Sequence, residues 1–340
     1  MSLIDFNLFC QWGVDEVNIQ GIDIEKYLID MKKEYPPVDF LLQYNGVGCI
    51  PKGDLQAMTG KMKNGKSFAC LCLEVAMLNG SFMGFEALKE NIHILHVDTE
   101  QSPATIVKRA KALHTMCEWD LDINDERYRT IHLRECNSCE ERLKVITEAI
   151  EKFNPDFMFI DGIRDLLDDF NDPQQSSRLI NYFLMLCNKY KVGIMCVLHE
   201  NKGDTNMRGH LGTELGNKCS ETYKTSKSDD IIKVEQTVCR NEPIKDWGLS
   251  IGDNGIPITQ SISNVNPTRL KRDNSFKALY KEKESYTHTE LWNAFAQIYG
   301  CKERAAKTHI ANALNDGTLQ KRDDTYYYGV APIDTESFNF

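Results

Sequence analysis

Residues 60–67 combine residue types that hold phosphate groups in proteins. They read Gly-Lys-Met-Lys-Asn-Gly-Lys-Ser and match the pattern G-x-x-x-x-G-K-[ST] without a mismatch. Glycine lets the main chain curl so that several N–H groups point at phosphate oxygens, and a following helix adds its positive end. The pattern predicts that Lys66 reaches the β- and γ-phosphates and that Ser67 ligates Mg²⁺. The alternative is a glycine-rich turn that binds no ligand.

We expect the bound nucleotide to be ATP, held together with Mg²⁺. A strand candidate precedes the glycine-rich loop and an apolar helix candidate follows it, as this motif requires. The candidate nucleotide-binding residues form one continuous segment: Gly60, Lys61, Met62, Lys63, Asn64, Gly65, Lys66, Ser67 and Phe68.

Hydrolysis needs acidic groups beyond the phosphate loop, and two later strand candidates end in them. "PDFMFIDG" ends in Asp161, which can hold Mg²⁺ through a water molecule. "IHILHVDTEQS" ends in Asp98-Thr99-Glu100, where a carboxylate can polarise the attacking water. We favour Glu100 as the base, and Asp98 is the competing candidate. The alternative is that these acidic and hydroxyl groups cap a helix.

A third strand candidate, "GIMCVLHENKG", ends in His199. A polar residue at this strand end can sense the γ-phosphate and pass its state to the next loop. The alternative is a hydrogen-bonded histidine that only terminates the strand.

Strand and helix patterns alternate between residues 50 and 260, which predicts an α/β fold with a mainly parallel sheet covered on both faces. Short, almost wholly apolar runs are typical of strands buried on both sides. The strand candidates are "LQAMTG", "IHILHVD", "YRTIHLR", "FMFID", "GIMCVLH" and "IIKVEQTVC". The helix candidates are residues 66–79, 102–117, 139–152 and 174–190.

Composition sets the broad class of the protein. The chain has 340 residues with 41% hydrophobic and 26% charged residues, as in soluble globular proteins. It has neither a signal-peptide pattern nor an apolar run that could span a bilayer, so we expect a cytoplasmic location. Twelve cysteines are scattered, and the single CxxC, Cys136 to Cys139, has no second ligand pair nearby, so we expect reduced thiols rather than a zinc site.

Charge is uneven along the chain. The net charge is −10, which argues against polyanion binding by the whole surface. Residues 269–322, however, hold eleven Lys and Arg against six Asp and Glu. A basic module on an acidic body suits local nucleic-acid contact, and a solvated basic helix face is the alternative.

Breaks in the pattern suggest several segments. The Ser- and Asn-rich stretch "SISNVNPTRLKRDNS" lacks periodicity and is interpreted as a linker. Beyond it the pattern predicts a helix, a turn at Gly300, a second helix and a hairpin. The predicted segments are an N-terminal arm 1–35, an ATPase domain 36–262, a linker 263–275, a small domain 276–330 and a tail 331–340.

The order of these motifs resembles that of RecA-like P-loop ATPases. Within that group it is most similar to the DnaB- and RepA-like hexameric helicase branch and to ATPases of bacterial mobilizable transposons and plasmids. The segments that carry the resemblance lie between residues 40 and 260: "GKMKNGKS", "VDTEQS", "IDGIRDLLDDFND" and "HENKGDTNMRGHLGTELGNK".

The resemblance implies a role for each motif residue. Glu100 corresponds to the catalytic glutamate, Asp161 to the Walker B aspartate and His199 to the sensor. Such ATPases are homo-oligomeric rings, often hexamers, in which a neighbour's arginine completes the site. Arg240 lies where the family often has a Lys-x-Arg pair, but Val238 replaces the lysine here. Arg208 is the other candidate for the trans arginine.

The resemblance also implies contact with DNA. Residues 203–218 resemble the mobile loop that faces DNA in the channel of such rings, with an ordinary surface loop as the alternative. The C-terminal segment resembles a winged helix, an appendage that DnaB-like helicases usually lack and that also serves as a protein-interaction module. The candidate DNA-binding residues are basic: Lys202, Arg208, Lys218, Lys302, Arg304 and Lys307.

The resulting expectation is a DNA-dependent ATPase, with ring helicase activity as its more specific form, in replication or mobilisation of a mobile element. Other replication or mobilisation proteins would be its partners. One alternative is an ATP-dependent regulatory or DNA-docking module without strand separation. Another is a nucleotide-binding scaffold that scarcely turns over.

Overall fold

The computed structural model describes residues 23–201, 207–228, 230–252, 254–260, 267–315 and 317–329. The chain divides into two compact units between residues 261 and 262. This division lies beside the predicted end of the ATPase domain at residue 262. Most of the predicted N-terminal arm and the predicted tail 331–340 lie outside the described residues.

The first unit is built around a large, mostly parallel sheet. Its strand order is β13-β12-β11-β10-β3-β9-β8-β6-β7, where β10 through β7 are parallel and β11, β12 and β13 form an antiparallel edge. The strands of this sheet are β3 Leu55–Gly60, β6 Ile94–Asp98, β7 Tyr128–His132, β8 Phe157–Asp161, β9 Gly193–His199, β10 Glu221–Ser228, β11 Ile231–Cys239, β12 Trp247–Ile251 and β13 Pro257–Gln260.

Helices cover this sheet and account for its apolar strands. All six residues of β3 are buried, as are the first four of β8, because both faces of the sheet are packed. The helices of the first unit are α1 Lys66–Asn79, α2 Pro103–Met116, α3 Cys139–Phe153, α4 Pro173–Tyr190 and α5 Gly209–Lys218. Short 3-10 helices lie at Ile24–Tyr27 and Ile163–Leu166. The predicted α/β fold is thus confirmed.

A small antiparallel sheet, which the sequence patterns did not predict, packs beside α1. Its strand order is β2-β1-β5-β4. The strands are β1 Phe40–Tyr44, β2 Val47–Pro51, β4 Ser81–Phe82 and β5 Phe85–Ala87. Phe85 and Leu42 are fully buried, so this sheet extends the core on the α1 side.

Strand register brings the predicted site residues to one edge of the large sheet. Asp98 is paired with Asp161 between β6 and β8, and Gly60 is paired with His199 between β3 and β9. Because these strands are parallel, their carboxyl ends lie side by side. The glycine-rich loop and the polar residues at the strand ends therefore meet at that edge.

The second unit has its own core. It contains α6 Pro267–Glu282, α7 His288–Tyr299, α8 Glu303–Asn315 and the short strands β14 Tyr286–Thr287, β15 Leu319–Arg322 and β16 Thr325–Tyr328. Phe276 and Phe295 stack with ring centroids 4.4 Å apart in its centre. Thr287 and Glu290 form a reciprocal capping box at the start of α7. The helix, Gly300 turn, helix and hairpin predicted for this segment are present.

Two predictions about irregular segments were wrong. Residues 267–275 of the predicted linker form the first half of α6. Residues 209–218 of the predicted mobile loop form α5, while residues 202–206 lie outside the described chain. Met207 explains two of the three glycines of α5, because a Cβ on Gly212 would lie 2.5 Å from Met207 atoms and one on Gly216 2.8 Å from its methyl carbon. Among the described residues, no helix is both long enough and apolar enough to cross a membrane.

Candidate functional site

A cleft of about 520 Å³ lies where the glycine-rich loop meets the carboxyl ends of β6, β8 and β9. It brings together Lys66, Ser67, Glu100, Asp161 and His199, which come from four separate strand ends. Its full lining is Met62, Lys63, Gly65, Lys66, Ser67, Phe68, Asp98, Glu100, Gln101, Arg109, Asp161, His199, Lys227, Ile232 and Ile251. Lys61 is exposed and does not line the cleft.

The glycine-rich loop has a conformation that depends on its two glycines. Gly60 has a φ of 149°, and a Cβ there would lie 2.3 Å from the hydroxyl oxygen of Thr225. Gly65 has a φ of 83°, and a Cβ there would lie 2.4 Å from the Ile232 side chain. Lys63 has a left-handed φ of 65°, an uncommon value for a residue with a side chain. The loop is therefore a tight turn held against β10 and β11.

Lys66 is the first residue of α1 and is 94% buried, with 6% of its surface exposed. Its ammonium group donates to the carbonyl oxygens of Gly60 and Lys61, both at 3.0 Å. It also lies 2.9 Å from Nδ1 of His199. Since the ammonium can only donate, His199 Nδ1 accepts and the ring is neutral. Burial lowers the pKa of Lys66, and burial together with the Lys66 charge lowers the pKa of His199.

The side chains of Ser67 and Asp161 are in direct contact in the cleft. The Ser67 hydroxyl donates to Oδ2 of Asp161 at 2.6 Å. A hydroxyl and a carboxylate in contact at the start of a helix are a donor set that suits Mg²⁺, which prefers hard oxygen ligands. The two residues predicted to bind Mg²⁺ are therefore close enough to bind the same ion.

Asp98 and Glu100 differ sharply in their surroundings. Asp98 is fully buried, and its carboxylate accepts the N–H groups of Glu100 at 3.0 Å and Gln101 at 2.7 Å. Arg109 contacts its second oxygen at 3.4 Å. Asp98 thus fixes the turn that carries Glu100, as an N-terminal capping group does.

The Glu100 side chain projects into the open part of the cleft. Partial desolvation raises the pKa of Glu100, and the nearby carboxylates of Asp165 and Asp161 raise it further. Position 162 favours glycine, because its φ is 116° and a Cβ there would lie 2.6 Å from the Thr99 hydroxyl and 2.9 Å from the Glu100 carboxylate. Glu100 is therefore freer than Asp98 to meet a water molecule.

Two cations that line the cleft, Arg109 and Lys227, were not predicted from the sequence. Arg109, on α2, bridges Asp98 and Asp161, with Nη1 3.2 Å from Asp161. Thr99 donates to the carbonyl oxygen of Gly162 and to Asp165, which ties the end of β6 to the turn after β8. Lys227 is an exposed cation at the end of β10. Arg109 lies in the middle of α2, and no sequence pattern connects it to the ends of β6 and β8.

Arg240 and Lys218 lie away from the cleft. Arg240 follows β11 and donates to the carbonyl oxygen of Asn217 at 3.1 Å, while its own N–H donates to Ser220. The N–H of Ser220 donates to the carbonyl oxygen of Leu55, the first residue of β3. The glycine-rich loop begins at the other end of β3, roughly 16 Å from Leu55 at the usual rise per strand residue. A role for Arg240 in its own chain's cleft is thus excluded by distance, whereas a role in a neighbour's cleft stays a prediction.

Arg208 lies just before α5, and its guanidinium group is centred 4.8 Å from the Phe170 ring. Its N–H donates to the carbonyl oxygen of His199, so the predicted sensor and Arg208 are directly connected. The guanidinium group of Arg164 is also close to the Phe170 ring, at 4.9 Å from its centroid, and lies 3.3 Å from an Asp165 oxygen. Lys202 lies outside the described residues.

The predicted DNA-binding residues of the second unit lie around α8. Lys302, Arg304 and Lys307 are exposed and line one shallow groove with Thr308 and Ala311. Lys307 pairs with Glu303 at 2.6 Å. His309 on the same helix packs its ring against Tyr299, with ring centroids 4.5 Å apart.

Cys136 and Cys139 are free thiols at the start of α3. Cys139 lies 3.5 Å from an Asp168 oxygen, and burial together with that carboxylate raises the pKa of its thiol to about 11. The pair therefore has the character of ordinary reduced thiols.

A phosphate loop before a helix, on a mostly parallel sheet with acidic residues at neighbouring strand ends, defines a P-loop ATPase. Comparison with protein families agrees: a family model described as an AAA domain matches residues 29–205, just over half of the chain. The protein belongs to this AAA domain family, whose members are nucleotide-hydrolysing ATPases. No curated protein matches the chain.

Proposed function

We propose that this protein is a DNA-dependent ATPase of the RecA-like type, acting as a homo-oligomeric ring in replication or mobilisation of a mobile element. The observation that carries the proposal is the contact between Ser67 and Asp161 at 2.6 Å, beside Lys66 and beneath Glu100. Phosphate loop, metal ligands and candidate base thus face one cleft.

Lys66 supplies the cation for the transferred phosphate. Its ammonium group exchanges its contacts with two carbonyl oxygens and His199 for the β- and γ-phosphates of ATP. The loop N–H groups and the N-terminus of α1 hold the remaining phosphate oxygens. His199 loses its Lys66 partner when this happens, and its main-chain bond to Arg208 carries the change to the start of α5.

Ser67 and Asp161 would hold Mg²⁺, which when bound neutralises charge on the β- and γ-phosphates. Asp161 must then release Arg109, which remains attached to Asp98. Through Asp98, Arg109 therefore holds the turn that carries Glu100 in a fixed position relative to the metal ligands.

Glu100 accepts the proton of the attacking water. Its raised pKa brings it closer to the operating pH, where a general base is most effective. Asp98 is held by main-chain N–H groups and Arg109, so it positions rather than reacts. An arginine from a neighbouring subunit, Arg240 or Arg208, supplies the remaining charge.

The adenine base of ATP would need a binding cleft beside the phosphate cleft. A second cleft of about 520 Å³ shares Ser67, Phe68 and Arg109 with the first and is closed by residues 254–256. Its lining is mostly apolar, which suits the flat faces of a purine. We assign the adenine and ribose to this cleft. Phe68→Ala should weaken binding of ATP but leave binding of inorganic triphosphate unchanged, as competition with a fluorescent nucleotide would measure.

Exposed cations support a role for DNA in both units. Arg208 and Lys218 flank α5, and Lys302, Arg304 and Lys307 surround the start of α8. The second unit has the helix and hairpin order of a winged helix, and an α8 face bearing cations suits contact with phosphates.

The deciding experiment measures ATP turnover with no DNA, with single strands and with duplex, alongside the mass of the nucleotide-bound assembly. We expect stimulation by single-stranded DNA and a ring-sized mass. Turnover indifferent to any DNA would contradict the DNA-dependent role. Stimulation by duplex alone in a monomer would favour the alternative of a regulatory, DNA-docking ATPase.

A further inference from the structure

A buried polar cluster lies beneath the cleft, between α1, α2 and the sheet. His96 on β6 is 2% exposed and Glu74 on α1 is fully buried. His96 Nδ1 and Glu74 Oε1 are 2.5 Å apart. Because a carboxylate accepts, Nδ1 carries a proton and donates a hydrogen bond to Glu74. In the neutral imidazole, Nε2 then has a free lone pair.

Two buried atoms of this cluster have no hydrogen-bond partner within the described parts of the chain. They are His96 Nε2 and Glu74 Oε2. Buried polar atoms without partners are costly, so such a concentration marks the place of a bound group.

Two carboxylates converge on the same place. A ring nitrogen of His96 and carboxylate oxygens of Asp98 and Asp161 all lie within 4.8 Å of one another. Since Glu74 engages Nδ1, the nitrogen with a free lone pair is Nε2. A histidine that donates its other ring N–H to a carboxylate is the arrangement found behind metal-ligating histidines, where the carboxylate fixes the ring and increases its basicity.

Charge favours a cation over water in this cluster. Glu74, Asp98 and Asp161 bring three carboxylates to this cluster. Arg109 lies 3.2 and 3.4 Å from the two aspartates, and the Lys66 charge also acts on Asp161. A divalent ion in place of Arg109 would bring two positive charges to the aspartates instead of one. One imidazole with two carboxylates suits Zn²⁺ and its relatives, whereas Mg²⁺ prefers oxygen ligands alone.

We propose that His96, Asp98 and Asp161 form a site for a divalent transition-metal ion of the Zn²⁺ or Co²⁺ type, with Glu74 as the orienting partner of His96. Ligand atoms around such an ion lie about 3.4 Å apart, so the three side chains close by on the order of 1 Å. The ion displaces Arg109 from the two aspartates. The site shares Asp161 with the proposed Mg²⁺ site but does not depend on ATP hydrolysis.

Co²⁺ titration of the full, reduced chain, free of nucleotide and Mg²⁺, tests this site. The visible bands of nitrogen- and oxygen-bound Co²⁺ report it, and sulfur-to-cobalt charge transfer in the near ultraviolet reports adventitious thiolate binding. We expect one equivalent of nitrogen- and oxygen-bound Co²⁺ that excess Mg²⁺ does not displace. His96→Gln should abolish these bands, whereas His93→Gln, which removes a half-exposed histidine beside the same strand, should retain them.

Two further variants keep the test decisive if His96→Gln fails to fold. Glu74→Gln should weaken Co²⁺ binding about 10- to 100-fold, as loss of an orienting partner does. Arg109→Gln should tighten it by at least about tenfold, because the competing cation is gone.

The contrary outcomes are equally clear. Charge-transfer bands alone, or equal affinity in wild type, Glu74→Gln and Arg109→Gln, would overturn the proposal. Lys66→Ala should lose ATP binding and keep the cobalt bands, so failure of the proposed function and failure of this site are separable.

Discussion

Gly65 and Gly80, at the two ends of α1, form a matched pair for testing the phosphate loop. Their φ values are 83° and 84°, so alanine at either position meets the same left-handed strain. A Cβ at Gly80 has nothing within 4 Å, whereas a Cβ at Gly65 would lie 2.4 Å from Ile232. The two substitutions thus separate backbone strain from crowding.

The expected magnitudes follow from this difference. Gly80→Ala should cost about 1–2 kcal/mol, the usual penalty for a left-handed residue with a side chain. Gly65→Ala should cost that amount and a further ~1–3 kcal/mol for overpacking against Ile232. When Gly65→Ala is added to Ile232→Ala, its cost relative to Ile232→Ala alone should fall to the backbone part, about 1–2 kcal/mol.

Urea unfolding measured by tryptophan fluorescence reports these values, in a Trp292→Phe background so that the second unit contributes no signal. ATP affinity should fall in Gly65→Ala and stay unchanged in Gly80→Ala. Equal losses of stability in the two variants, with ATP affinity intact in both, would refute the geometry described for the loop.

Further predictions concern the base and the second unit. Glu100→Gln should bind ATP but turn over about 10²- to 10⁴-fold more slowly, and normal turnover would mean that Asp98 or another group is the base. The raised pKa of Glu100 means that kcat/KM falls as pH drops through that value. Asp165→Asn should move this acidic limb to lower pH, and an unmoved limb would exclude Glu100. Thr287→Ala should cost the second unit ~1 kcal/mol as a lost helix cap, measured by Trp292 fluorescence. The Lys283 ammonium and Thr287 lower the pKa of Glu290 to about 2, below its ordinary 4.5, so its contribution to stability is present above pH 4.5 and is lost as pH falls towards 2. Equal melting temperatures at pH 5 and pH 3 would contradict this.

The sequence was most informative where pattern and packing agree. Leu55–Gly60, Phe157–Asp161 and Gly193–His199 were predicted with their observed bounds, because apolar runs of strand length become strands when both faces of a sheet are covered. The loop before Lys66 carried its own conformational signal in its glycines. These local rules, with the parallel topology, suffice to bring the site residues together.

Tertiary contacts decided the elements that were missed. Three glycines made residues 209–218 a poor helix by propensity, yet packing on Met207 and α4 holds them helical. The polar run 267–275 became helical because it docks Phe276 into the second core. Two strands of the small sheet, Ser81–Phe82 and Phe85–Ala87, are too short for periodicity to reveal.

Some features of the site also lay beyond sequence reasoning. Arg109, Glu74 and His96 act through partners on other elements. Their spacing along the chain gives no indication that they converge beneath Asp161. Main-chain N–H groups bind the Asp98 carboxylate and leave the Glu100 carboxylate available for water. This difference depends on the folded turn and has no signal in the residue types.

Equilibrium binding of Mg²⁺ and a non-cleavable ATP analogue tests the central claim most directly, when wild type is compared with Lys66→Ala and Lys61→Ala. Lys66 is buried in the cleft, whereas the Lys61 side chain is exposed and only its carbonyl oxygen contacts Lys66. We predict saturable binding in wild type and Lys61→Ala, and none in Lys66→Ala. Undiminished binding by Lys66→Ala, or none by the folded wild-type chain, would contradict a nucleotide site at this loop.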